Sequence, residues 1–126
     1  MSNEKNTESI VRENFKKDPL FVSIKLEEQR SINKNVINLL HNASKGGVGI
    51  GKPDFIVTFP VNNKYIIVIE CKGSVDDHIS PNKDKPEKYA VDGTLHYAKF
   101  LSQEYEVLAI AVSGQTEAEL KVSYFI

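Results

Sequence analysis

Apolar and polar positions alternate along this chain in ways that separate helices from strands. In residues 4–17 Ile10, Val11 and Phe15 fall at helical spacing and Asp18-Pro19 ends the pattern, so a first helix is expected there. Ile32, Val36, Leu39, Leu40 and Ala43 recur at three and four, which predicts a second helix over 27–43 with that stripe facing a sheet. Two continuous apolar runs follow, Phe55-Ile56-Val57 and Ile66-Ile67-Val68-Ile69. They predict strands over 54–61 and 65–73, buried on both faces as central strands are. The short polar link Asn62-Asn63-Lys64 folds one strand back antiparallel on the other. Residues 74–88 are polar and hold Pro81 and Pro86, the composition of a long, mobile loop. A third helix is expected over 89–103, with Val91, Leu95, Ala98 and Leu101 on its core face and Asp92, His96 and Lys99 on a polar one. Residues 107–112 read as another buried strand and 120–126 as the last. This order predicts an α/β fold, a mixed sheet of four or five strands flanked by helices.

Composition narrows the class. At 126 residues the chain forms a single domain over 1–126, able to bury about two thirds of its unfolded surface without a disulfide or structural metal. No apolar stretch approaches the roughly 18 residues of a membrane span, and no signal core follows the polar start, so neither a membrane partner nor export is expected. The one cysteine, Cys71, lies within the strongest predicted strand and has no partner for a disulfide, which fits a reducing cytoplasm and a packing role. A net charge of −1 and a pI near 6.3 argue against a free-standing, tight binder of DNA, whose affinity comes mostly from Lys and Arg contacts to phosphate. A module fused to a DNA-recognising partner needs no broad basic face. The chain also stops inside its last predicted strand, so an N-terminal piece of a larger protein is expected.

The candidate chemistry lies at the strand ends. Side chains alternate along a strand, so Glu70 and Lys72 share one face while Cys71 points to the other. Asp54 opens the preceding strand, and the hairpin brings it near Glu70. Two carboxylates so placed repel each other unless a hard cation lies between them, and Mg2+ prefers such oxygen ligands. The plainer alternative is a loose Glu70–Lys72 ion pair, worth about 0–1 kcal/mol on a wet surface. The neighbouring runs, too apolar for a solvated hairpin, weaken it. The loop over 44–52 matches the letters of a nucleotide-binding G-x-x-x-x-G-K, from Gly46 to Lys52. Its context does not match, because a helix precedes it, Pro53 follows the lysine and a strand comes next. Lys45 and Lys52 are instead candidate contacts to DNA phosphate, with a plain flexible connector the equal alternative. Asp76-Asp77-His78 lacks a completing ligand set and is taken as solvated charge. On the third helix His96 and Lys99 are further candidates for DNA contact, although a lone exposed His is more often only solvated.

Pro53-Asp54, an apolar strand, and then Glu70-Cys71-Lys72 resemble the motif of the PD-(D/E)XK nuclease superfamily. The flanking segments Glu27-Glu28-Gln29-Arg30-Ser31, Leu39-Leu40-His41-Asn42-Ala43-Ser44-Lys45, Tyr89-Ala90-Val91-Asp92-Gly93 and Leu95-His96-Tyr97-Ala98-Lys99 extend the likeness over roughly residues 27–114. They resemble the nuclease domain that opens type I and type IIG restriction-modification proteins, ahead of an N6-adenine methyltransferase or a helicase. The resemblance implies a restriction-endonuclease-like core and hydrolysis of DNA phosphodiesters with a 5′-phosphate product. It further implies Mg2+, with Mn2+ as an alternative, held by Asp54, Glu70 and the carbonyl of Cys71, with Lys72 steering the attacking water. A downstream methyltransferase, helicase or target-recognition domain would select the site. Relatives often add an acidic residue from the preceding helix. Glu28, four residues before Ile32 at the head of the predicted buried stripe, is the candidate, and favourable charge at a helix N-terminus is the equal alternative. Relatives also carry Gln and Tyr one turn apart on the third helix, where this chain has His96 and Tyr97. An inactive nuclease-fold docking module and a free-standing repair or junction nuclease remain as alternatives.

Overall fold

In the computed structural model, which describes residues 3–126, the two apolar runs form the centre of a five-stranded sheet. The elements are α1 (Glu4–Lys17), β1 (Lys25–Glu27), α2 (Lys34–Leu40), β2 (Phe55–Thr58), β3 (Tyr65–Lys72), α3 (Ala90–Leu101), β4 (Glu106–Ser113) and β5 (Lys121–Phe125), with single 3-10 turns at Pro19–Ser23 and Val75–Asp77. The strands lie in chain order β1-β2-β3-β4-β5. β3 and β4 pair in parallel, joined by the crossover through α3, and the other neighbours pair antiparallel. The fold is therefore α/β with a mixed sheet, as the apolar periodicity predicts.

The sheet is covered on both sides. Val36, Leu40, Ile56, Ile66, Val68, Tyr97 and Leu101 form the core between the sheet and α2 with α3. Val11, Phe55, Ile69, Cys71 and Val112 form a second core on the α1 side. Each such buried aliphatic or aromatic side chain contributes about 1.5–3 kcal/mol relative to exposure. Cys71, 1% exposed, is a packing residue, and burial raises its thiol far above the usual range.

The helix expected over 27–43 does not form as one element. Its first residue ends the edge strand β1, where Leu26 pairs with Val57 and Glu27 with Ile56. The chain then turns at Gln29, whose φ is 68° and whose N–H donates to Pro53 O at 2.9 Å. The Glu27 carboxylate accepts from Ser31 Oγ and Ile32 N–H. Helix α2 starts only after Asn33, whose side chain caps Asn35 N–H at 2.9 Å and Val36 N–H at 3.3 Å. Side chain–backbone bonds thus compete successfully with helix over 27–33. Ile32, expected in the buried stripe, is 76% exposed.

The loop over 74–88 is also more built than its composition indicates. Its centre is buried at His78 and Ser80. Asp92, expected on a polar helix face, is buried beneath this loop and accepts hydrogen bonds from Ser80 N–H, Ser80 Oγ and Lys85 N–H. His78 is likewise no solvated charge. Its Nδ1 lies 2.8 Å from Ser113 Oγ and its Nε2 2.9 Å from Ser123 Oγ, tying the loop to β4 and β5.

Candidate active site at the end of β3

The antiparallel register places Phe55 opposite Ile69, so the next step along the ladder sets Asp54 against Glu70. The two carboxylates are then bound reciprocally across the hairpin. Asp54 N–H donates to Glu70 Oε2 at 2.7 Å, and Cys71 N–H donates to Asp54 Oδ2 at 2.8 Å. Asp54 is 9% exposed and Glu70 fully buried. Glu70 lies under α3 at Gly93, where a Cβ would stand 3.2 Å from Glu70 Oε1 and 3.0 Å from Pro86 O. A glycine inside this helix costs about 1 kcal/mol, and the close approach of Glu70 explains its presence.

Helix α1 brings two further carboxylates. Glu4 and Glu8 are one turn apart, and an oxygen of each lies within 4.8 Å of the others and of an Asp54 oxygen. Among the described residues no other group of three potential ligands comes together in this way. The helix is held there by buried Thr7, whose hydroxyl lies 2.5 Å from Gly114 O and 3.2 Å from Lys72 O at the ends of β4 and β3.

The cations arrive from two directions. Lys45, on the glycine-rich loop, places Nζ 2.5 Å from Glu70 Oε1. Lys72 shares the Glu70 face of β3 but reaches Glu87 O at 2.8 Å and Glu4 Oε1 at 3.2 Å instead. Electrostatics follow from this crowding. Burial, and then the nearby Glu70 charge, push the Asp54 carboxyl up to about 7. Burial raises Glu70 and Glu8 as well, Glu70 against the pull of Lys45 and Glu8 with further help from Asp54 and Glu4. Burial alone would lower the Lys45 ammonium, but the Glu70 charge and hydrogen bond outweigh it and leave Lys45 raised.

Glu28 is placed otherwise than expected. It lies in the turn after β1, exposed, and forms a two-pronged ion pair with Arg12 of α1 at 2.8 and 2.6 Å. That pairing holds its carboxyl below the usual range. The acids that flank Asp54 come from α1 and not from the segment before α2. Their signal was in the sequence: Glu4, Glu8, Val11 and Phe15 fall on one helical stripe, with apolar residues at its far end and acids at its head.

Of the remaining candidates, Lys52 is exposed, and its N–H donates to Tyr97 Oη at 3.3 Å. With Lys45, Ser44, Val48, Glu87 and Tyr97 it lines an open groove of about 850 Å³ beside the carboxylates. His96 is half-buried and holds the loop's first residues in place through Nε2 to Ala43 O at 2.9 Å. Lys99 is exposed further along α3, beside a second groove of about 830 Å³ whose walls, including Phe59, Tyr105 and Phe125, are mostly apolar. Asp76 and Asp77 sit in the 3-10 turn capped by Ser74 and do not join His78 in a ligand set. No helix among the described residues is long and apolar enough to cross a membrane. Comparison with family models, with curated proteins and with solved structures finds no match for this chain.

Proposed function

We propose that this domain is a divalent-cation-dependent DNA endonuclease module of the PD-(D/E)XK kind, working within a restriction-modification protein and hydrolysing phosphodiester bonds. One observation carries this: Glu4 and Glu8 gather at Asp54, Asp54 is bound to Glu70 across the hairpin at the end of β3, and two ammonium groups, Lys45 and Lys72, touch Glu70 and Glu4 respectively. Four carboxylates against two ammonium groups leave a formal charge of −2. The upward shift of Asp54, caused first by burial and then by the Glu70 charge, is in keeping with that crowding. An all-oxygen donor set with that charge fits Mg2+, or Mn2+ in its place. Asp54 and Glu70, with the Cys71 carbonyl, would hold the ion, and Glu4 and Glu8 would stand beside Asp54. When bound, Mg2+ lowers the pKa of its water and offsets charge on the scissile phosphate.

The chain's own groups have separable tasks. The Lys72 ammonium, only 14% exposed on its side chain, is positioned beside Glu4 to orient the attacking water and stabilise developing negative charge. The groove lined by Lys45 and Lys52 offers point charges to backbone phosphates, which position a nucleic acid without reading its sequence. With a net charge of −1, target choice and most of the affinity are assigned to a partner domain, a methyltransferase, helicase or target-recognition unit.

The test is nicking of supercoiled DNA by the parent, Asp54→Ala and Lys72→Ala, with Mg2+ and with EDTA, alongside Mn2+ binding followed by electron paramagnetic resonance. The parent should cut only with metal, and each substitution should reduce cutting by about 10²-fold or more. Cutting that persists in both variants, or a parent that binds no Mn2+, overturns the assignment.

A further inference from the structure

Glu70 has both oxygens engaged. Oε2 accepts from Asp54 N–H at 2.7 Å and Oε1 from the Lys45 ammonium at 2.5 Å. The lysine two residues along its own strand is turned to Glu87 O and Glu4. The counter-ion of this fully buried acid is therefore supplied by a loop. That loop is fastened at both ends, by His96 to Ala43 O, by Gly51 N–H to Leu40 O and by Lys52 N–H to Tyr97 Oη. At Gly51 a Cβ would stand 2.8 Å from the Tyr97 ring, so the fastening is close. Between the ends it is loosely held. Residues 46–50 hydrogen-bond only to Ser44, within the loop, among the described residues. Gly47 and Gly49 have positive φ and open space around them, and Val48 is 89% exposed. The Lys45–Glu70 contact is the tie that draws this span toward the site.

We propose that Lys45 is a built-in counter-ion for Glu70 that a divalent cation must displace, so that loading the site frees the loop span 46–50. This rests on Glu70 being a ligand of that cation. An ammonium and a dication on one buried carboxylate repel each other where little water screens them. Either one alone compensates the buried charge, so the two compete. The displaced ammonium, whose side chain is 21% exposed already, is left at the wall of the 850 Å³ groove, where a phosphate can take it as partner. Cation and loop then regulate one another, and by linkage the coupling is reciprocal.

Lys45→Met keeps the apolar stem and removes the charge. Mn2+ titration of the 126-residue chain, followed by electron paramagnetic resonance, should show Lys45→Met binding about 5- to 150-fold more tightly than the parent, the usual range of such coupling. Equal or weaker binding by a folded Lys45→Met overturns the proposal and leaves the metal site standing. Because the substitution strips a buried acid of its partner, the decisive second measurement uses the parent alone. Amide hydrogen exchange over 46–50 should quicken when Mn2+ is bound, and unchanged exchange with Mn2+ bound also overturns the displacement. Absence of Mn2+ binding in both chains removes the proposal together with the nuclease assignment beneath it.

Discussion

Asp92 and Asp54 are both nearly out of reach of water, 2% and 9% exposed, yet the fold surrounds them with opposite things. Asp92 receives three hydrogen bonds from uncharged donors, Ser80 N–H, Ser80 Oγ and Lys85 N–H. Those donors come from the loop over 74–88, which His78 also ties to β4 and β5. Asp54 receives one bond from Cys71 N–H and faces Glu4, Glu8 and Glu70. A buried acid that stabilises a fold has its acceptors filled by the chain. An acid left among other acids, with its pKa raised by burial and by a neighbouring charge, is a candidate place for a ligand or a proton.

The contrast can be broken first with pH. The folded Asp54 carboxyl, raised to about 7 from 3.8, binds a proton more tightly than in the unfolded chain. Its contribution is therefore full below pH 3.8 and is lost as pH rises through 7. At 1.36 kcal/mol per unit this amounts to about 4 kcal/mol at most. Urea unfolding of the metal-free domain should show lower stability at pH 8 than at pH 5.5. Asp54→Asn should flatten much of that slope, and saturating Mn2+ should raise stability selectively at pH 8. A slope unchanged by Asp54→Asn would assign it to other groups. Next in size is Asp92→Ala, which leaves Ser80 N–H and Lys85 N–H without their acceptor and should cost about 3 kcal/mol. It should leave Mn2+ affinity unaltered at temperatures where the variant is folded. A loss of affinity matching that of Asp54→Asn would show that the two acids are not functionally distinct.

How far these features were readable follows from how local their causes are. α1 spans the residues its periodicity predicts, β3 and α3 nearly so, because runs such as Ile66-Ile67-Val68-Ile69 satisfy their pattern within one element. The meeting of Asp54 with Glu70 was legible for the same reason, since a hairpin register is set by residues close in sequence. The segment 27–33 was not. β1 is only three residues long and exists by pairing with β2, some thirty residues later, and the Asn33 cap overrides an apolar spacing that continued back to Ile32. Lys45 at Glu70 and Thr7 at Gly114 depend on a loop and a helix docking across the sheet, which no periodicity records. The burial of His78 against Ser113 and Ser123 has the same character.

The smallest expected effects come from the two acids that competed for one role. Glu28 is exposed and paired with Arg12, so Glu28→Gln should change stability by only about 0.2–1 kcal/mol, less at high salt, and leave Mn2+ affinity alone. Glu8 makes no such pair among the described residues, lies against Asp54 and Glu4, and has its carboxyl raised by burial and by those neighbours. Glu8→Gln removes one repelling charge, so the metal-free domain should be no less stable than the parent. Its Mn2+ affinity should nevertheless fall by about 10- to 100-fold, the scale for groups that support a metal ligand. Stability and affinity moving in opposite directions would separate a site acid from a structural one more sharply than either measurement alone. If Glu28→Gln weakens Mn2+ binding and Glu8→Gln does not, α1 is not the helix that completes the site.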